Sequence, residues 1–207
     1  MATIVVGGHS RSVGKTSVVA GLIAALPGSH WTAVKITQFG HGICSVNGES
    51  CDCAVDEHTI AISEERDRSG ESDTSRFLVA GAVKSLWVRT KQGRLAEAMP
   101  SLRRAIEGSE NVIIESNSVI RFLRPDLYLS VLDSQTADFK ASAREYLDQA
   151  SAFIMHEGDA MPAWDGVSLK LIRSKPVFRI QPPRYVTPEI VDFVRRVLAK
   201  PLPASRS

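Results

Sequence analysis

Cysteine is nearly absent from this chain: there are three in 207 residues, all inside the stretch Cys44 to Cys53. That confinement points away from a disulfide framework, so the fold must rest on an apolar core, which a single domain near the upper end of the usual size range can bury. An excess of one charge is lacking too, with 25 Lys and Arg against 23 Asp and Glu and a net charge of +2. This balance argues against a general electrostatic grip on nucleic acid or an anionic membrane. No stretch approaches the roughly 20 consecutive apolar residues of a membrane span. The amino terminus runs directly into a strand pattern, without a basic n-region, apolar h-region and cleavage site, so a cytoplasmic protein is expected. Internal repeats are missing, and no G-x-S-x-G elbow supports serine-hydrolase chemistry.

What is present begins at residue 3. The apolar run Thr3-Ile4-Val5-Val6 leads into Gly7-Gly8-His9-Ser10-Arg11-Ser12-Val13-Gly14-Lys15-Thr16-Ser17. This reads as a phosphate-binding loop between a buried strand and a helix. Glycines let backbone N–H groups turn around phosphate oxygens, and the helix that follows adds its positive dipole end. Gly8, Ser12, Val13, Gly14, Lys15, Thr16 and Ser17 are the candidate nucleotide contacts. Lys15 is placed to reach the terminal phosphates and Thr16 to offer its hydroxyl to Mg²⁺. His9 occupies the place of the first glycine in G-x-x-x-x-G-K-[ST], and the glycine lies one residue earlier at Gly8, so the loop is one residue longer. Val18, Val19, Leu22, Ile23 and Leu26 then form one apolar helical face that ends at Pro27-Gly28.

Strand and helix patterns alternate along the chain. Strands are expected at about 3–6, 31–36, 82–88, 111–115, 127–132, 152–155 and 177–180, and helices at about 15–26, 73–80, 93–107, 137–150 and 188–198. This rhythm predicts a three-layer α/β fold of the P-loop NTPase class, a mainly parallel sheet with helices on both faces, spanning 1–200 as one domain. The ligand site belongs at the carboxyl ends of the strands. Within the domain, about 37–72 reads as a cysteine-containing insertion, whose polar end from Ser63 to Ser72 is expected to be a mobile surface loop. Residues 201–207 read as a frayed tail.

A second chemical signal is Val112-Ile113-Ile114-Glu115-Ser116-Asn117. An apolar strand ending in an acid suits the water shell of Mg²⁺, which takes one or two carboxylates alongside phosphate oxygens. Glu115 is the candidate. The order of phosphate loop, Val34-Lys35, then Asp73-Thr74-Ser75-Arg76-Phe77-Leu78-Val79-Ala80-Gly81-Ala82, then Glu115, resembles the MobB family of molybdopterin-guanine dinucleotide biosynthesis proteins. That family carries a D-S-x-R-h-x-x-A-G-A stretch between its second and third strands. The longer loop and the lysine after the second strand are closer to dethiobiotin synthetase and the cobyrinic acid amidating enzymes. Ser116 stands where both groups usually have glycine.

The resemblance implies one of two activities. One is a nucleotide-switched accessory protein that hydrolyses slowly and serves cofactor or metal-centre biosynthesis, with a protein partner that receives the cofactor or metal and a homodimer as its assemblies. The other is an ATP-dependent ligase that activates a small carboxylate, with Lys35 at the strand end neutralising that carboxylate and Lys15 and Glu115 completing the catalytic set. An ordinary strand-end lysine reaching water is an equal reading of Lys35.

The cysteines, spaced Cys44-x6-Cys51-Asp52-Cys53 and flanked by His41 and His58, suggest a metal site. Convergent C-x-C sulfurs with one histidine suit Zn²⁺, and an iron–sulfur cluster fits nearly as well. Unligated thiols on a Gly- and Ser-containing loop are the plain alternative. For the base, the strand at 152–155 ends in His156-Glu157-Gly158-Asp159, where guanine-specific proteins carry N-K-x-D. Asp159 either accepts the guanine N–H groups or closes a loop before Pro162, and ATP and GTP both remain open.

Overall fold

The computed structural model of the chain describes residues 1–40, 60–158 and 164–199. The elements are β1 (Ala2–Gly8), α1 (Lys15–Ala25), β2 (Trp31–Phe39), β3 (Ile60–Glu64), α2 (Asp73–Val79), β4 (Lys84–Lys91), α3 (Leu95–Ala105), β5 (Asn111–Glu115), β6 (Leu127–Leu132), α4 (Ala141–Glu145), β7 (Ala152–His156), α5 (Leu169–Arg173), β8 (Val177–Ile180) and α6 (Pro188–Leu198). Eight strands form one sheet in the order β3-β4-β2-β5-β1-β6-β7-β8. Every pairing is parallel except that of β3 with β4.

The three-layer architecture expected from the strand and helix rhythm is the one observed. Alternate strand residues feed two separate cores. Ile4, Val6, Ala33, Ile113 and Leu129 pack with Val18, Val19, Leu22 and Ile23 of α1, Phe77 of α2, and Ile190 and Val194 of α6. Val5, Val34, Ile114 and Tyr128 pack on the other face with Leu95, Met99 and Leu102 of α3 and Ala143 of α4. Both faces of the inner strands are thus covered, which is why they read as continuous apolar runs and not as alternation. No helix among the described residues is long and apolar enough to cross a membrane.

The register places the site. Lys35 pairs with Glu115, and Glu115 with Val6, so the three share one row across β2, β5 and β1. Side chains in one row of a parallel sheet leave on the same face. Val6 belongs to the core under α1, and Lys35 and Glu115 therefore emerge beside the amino terminus of that helix.

Four local expectations change. The helix expected over 137–150 is reduced to α4 and a 3-10 turn at Leu147–Gln149. The reason is that the Lys140 N–H is committed to the His9 carbonyl at 2.8 Å, so the segment before it cannot enter a helix. The third expected strand lies further on, at Lys84–Lys91. The edge strand β3 was not foreseen, and it takes Ser63 and Glu64 out of the polar stretch expected to be a loop. The rest of that stretch is tied down by the Glu65 carboxylate. It accepts from the backbone N–H of Arg66 and Asp67, each at 3.0 Å, and from the hydroxyls of Ser72 at 3.1 Å and Thr74 at 2.7 Å. Finally, α5 was missed because five residues are too few for a helical period to show.

Candidate functional site

The β1–α1 loop is shaped by small residues and positive dihedrals. Ser12 and Gly14 have φ of 56° and 91°, an alternation that turns successive N–H groups toward one concave side. A Cβ on Gly8 would lie 2.8 Å from Val13 Cγ2 and 2.9 Å from Lys15 Cγ, and one on Gly14 would lie 2.3 Å from the Tyr185 ring. A side chain at Gly14 would be strained by its φ as well as by the clash, and one at Gly8 would displace Val13 and Lys15. Gly14 caps α1 without a side-chain hydrogen bond, and the first turn contains no acidic residue. The first N–H groups of α1 therefore face the loop with the helix dipole behind them.

The longer spacing of the loop is absorbed by His9. Its N–H donates to the Val131 carbonyl at 3.1 Å, extending the β1–β6 pairing by one step, and its ring is fully buried. The imidazole forms a three-ring cluster with Phe139 and Trp164, its centroid 5.2 and 5.1 Å from theirs and theirs 5.5 Å from each other. Its Nε2 lies 3.2 Å from the Thr136 carbonyl and its Nδ1 3.5 Å from the Val131 carbonyl. Burial holds its pKa below the ordinary histidine value, against the raising influence of those two carbonyls.

The candidate catalytic side chains form a continuous polar ring. Thr16 Oγ1 donates to Glu115 Oε2 at 2.8 Å, and Lys35 Nζ donates to Glu115 Oε1 at 2.9 Å. Lys35 is also paired with Asp73. Asp73 faces Arg76 at 3.9 Å, and Arg76 Nη2 donates to Ser17 Oγ at 3.1 Å, returning to the residue after Thr16. Burial would pull the Lys35 ammonium down, but Glu115 and Asp73 together outweigh it and raise its pKa. The stretch at Asp73 closes the ring: Ser72 caps α2 by accepting from the Ser75 N–H at 3.0 Å, and α2 then presents Asp73 and Arg76 to the β1–α1 loop.

Lys15 bends back to donate to the Ser10 carbonyl at 2.7 Å. Burial, opposed by Glu115 and reinforced by Lys140 and Lys35, pushes its pKa down to about 8. Val13, counted among the nucleotide contacts, turns its side chain into the core and leaves only its backbone to the loop.

Sequence reasoning missed four contributors. Asn117 Oδ1 accepts from the Gly8 N–H and its Nδ2 donates to the Gly8 carbonyl, both at 2.8 Å, clamping the loop's root to the chain after β5. His156 donates from Nε2 to the Val13 carbonyl at 3.0 Å, so it supports the loop, and its ring meets Tyr185 edge-on at 6.0 Å. Tyr185 covers Gly14. The segment Asp138-Phe139-Lys140 closes the other side. Ser10 Oγ donates to Asp138 at 2.6 Å, Phe139 packs on His9, and the Lys140 N–H is held by His9. None of these has a local sequence signal, because each acts across more than 90 residues or through backbone atoms. An open groove of about 870 Å³ starts at Ser17 and runs along α1, lined by Ala20, Gly21, Arg76, Tyr185 and Val186 among others.

Cys44, Cys51, Cys53, His41, His58 and Asp159 lie outside the described residues. Among the described residues, no group of three or more His, Cys, Asp or Glu side chains is arranged to hold a metal ion.

No family model matches the sequence. No curated protein sequence matches it either. Solved structures similar to the chain include HypB from Helicobacter pylori in complex with nickel, 13% identical with a TM-score of 0.46, over 95% of this chain and 85% of that one. LpxK from Aquifex aeolicus in complex with ATP is 15% identical with a TM-score of 0.49, over 86% of this chain and 53% of that one. MobB from Bacillus subtilis is 18% identical with a TM-score of 0.39, over 94% of this chain and 96% of that one.

Proposed function

We propose that the chain binds a nucleoside triphosphate in the β1–α1 loop, hydrolyses it slowly with Mg²⁺, and acts as a nucleotide-switched accessory protein in cofactor or metal-centre assembly. The observation that carries this reading is the polar ring of Thr16, Glu115, Lys35, Asp73, Arg76 and Ser17, built around the uncapped amino terminus of α1. Phosphate oxygens would satisfy the N–H groups of the first turn. The Lys15 ammonium would leave the Ser10 carbonyl for the terminal phosphates. A hydroxyl and a carboxylate 2.8 Å apart suit a hard cation, and Thr16 and Glu115 are the residues that would hold Mg²⁺. Bound there, Mg²⁺ supplies charge neutralisation on the phosphates. In hydrolysis a water oxygen bonds to the terminal phosphorus, the bond to the bridging oxygen breaks with its electron pair left on the diphosphate, and the water's protons pass to the products.

Lys35 has two carboxylate partners and makes α2 responsive to what Glu115 does. Engagement of Glu115 by Mg²⁺ would leave Lys35 to Asp73 alone, which gives the ring two states and α2 a means of reporting them. Nothing in the geometry singles out Lys35 as a ligand for a substrate carboxylate, so the ligase reading gains no separate support. The groove beside Ser17 offers room for the nucleoside. The same reading assigns Cys44, Cys51 and Cys53 with His41 or His58 to zinc or an iron–sulfur cluster. Elemental analysis of anaerobically purified protein tests that assignment, and freely reacting thiols without stoichiometric metal would remove it.

Calorimetry on the full chain with ATP and with GTP, each with Mg²⁺, tests the nucleotide reading. One of them is expected to bind with Kd well below about 1 mM, and Lys15→Ala to abolish the signal. Unchanged affinity in that variant, or no binding of either nucleotide by the wild type, overturns the reading.

A further inference from the structure

We infer that Lys140 is a second cation for the terminal phosphate, delivered in cis by the Asp138-Phe139-Lys140 segment and separating triphosphate from diphosphate. The inference rests on the nucleotide reading above and deepens it. Its first support is placement. The Lys140 backbone is pinned to the phosphate loop by its N–H on the His9 carbonyl at 2.8 Å. Phe139 is buried against the His9 ring, and Asp138 is tied to the loop by the Ser10 hydroxyl at 2.6 Å. Three consecutive residues thus grip three features of one loop, far more anchoring than a solvated rim lysine needs.

The second support is the charge around it. Lys140 is half-buried and stands close enough to Arg11, Asp138, Lys35 and Glu115 to feel their charge, and Lys15 feels its own. Lys35 is already neutralised by Asp73 and Glu115. Lys140 makes no side-chain hydrogen bond or ion pair among the described residues; Asp138, whose carboxylate accepts from the Ser10 hydroxyl, acts on it only at a distance. Burial and the charges of Arg11 and Lys35 lower its pKa against the opposing pull of Asp138 and Glu115, as burial lowers that of Lys15. Two destabilised ammonium groups at one loop mouth are stabilised together by a polyanion. Lys15 alone satisfies the requirement of a phosphate loop, so the additional cation has most to act on where the additional phosphate lies. The arrangement places on the chain itself the kind of charge that other phosphoryl-transfer proteins receive from a separate residue or partner.

The experiment compares wild type, Lys140→Ala and Lys140→Arg by calorimetry with the β,γ-imido analogues of ATP and GTP and with ADP and GDP, followed by turnover with ATP and GTP. Lys140→Ala is expected to weaken the triphosphate analogue about 10- to 100-fold while the diphosphate stays within about twofold, with turnover falling at least as far as triphosphate affinity. Lys140→Arg should recover part of both. An equal loss for triphosphate and diphosphate, or no loss for either, overturns the inference. The parent reading fails differently, since wild type would then bind none of the four nucleotides.

Discussion

At the scale of single residues, the site is held together by groups that cost the free protein stability. Lys15 has a pKa of about 8 against 10.5 in an ordinary environment. Below pH 8 the charged form is the one present, and it is less favourable folded than unfolded. Lys15→Met should therefore stabilise the free protein at pH 7 by about 1–3 kcal/mol while abolishing nucleotide binding. The gain should narrow as pH rises from about 8 toward 10.5, where the unfolded chain also loses the proton; urea melts at pH 7 and pH 9.5 check this. Glu115→Gln should cut Mg²⁺-dependent turnover far more than nucleotide affinity, because the amide keeps the shape but loses the charge that would hold the ion. Equal activity at saturating Mg²⁺ would remove Glu115 from the site. His9 has the opposite relation to pH from a histidine that gains a carboxylate partner. Its folded pKa is depressed, so stability is full above the ordinary value of 6.5 and falls as pH drops below it. His9→Phe should flatten that limb between pH 7 and 5, since Trp164 Nε1 still donates to the Thr136 carbonyl at 2.8 Å.

At the scale of elements, the loop is controlled from neighbouring chain segments. Asn117 joins the end of β5 to the end of β1 through both polar groups of Gly8, and a Cβ on Gly7 would fall 2.2 Å from its Oδ1. Asn117→Ala should cost about 2–3 kcal/mol, measured by denaturant melts, because two backbone groups lose their partners at once. It should also weaken nucleotide binding with no change in net charge. The α2 cap is a milder control: Ser72→Ala removes the hydrogen bond to the Ser75 N–H and should cost about 1 kcal/mol.

At the scale of the whole molecule, the candidate site is a seam between the two halves of the sheet. Its parts come from β1, β2, β5, α1, α2 and the chain after β6, so ligand binding should be coupled to global unfolding. Nucleotide with Mg²⁺ at about 100 times its Kd should stabilise the fold by about 2.7 kcal/mol and raise the Tm by about 5–10 °C. A thermal scan with ATP and GTP in parallel reads base preference from the same shift, and Lys15→Ala should show none.

The sequence by itself determined the glycine-rich turn between β1 and α1, the alternation of strands and helices, and Glu115 at a strand end. Each is a local pattern of glycine, apolar period and turn, and local patterns survive in one dimension. It also singled out Lys35 and the stretch at Asp73, though as separate features. Only the tertiary structure decided that they form one ring, because the register of β2 against β5 sets Lys35 beside Glu115 and the Ser72 cap aims α2 at both. The extra loop residue shows the same division. From the sequence His9 was an irregular spacing, and in the fold it is a buried ring that fastens Phe139 and Lys140 to the loop. Asn117, Tyr185 and Lys140 act through contacts that span most of the chain, and such contacts exist only once the sheet has brought distant segments to its carboxyl edge.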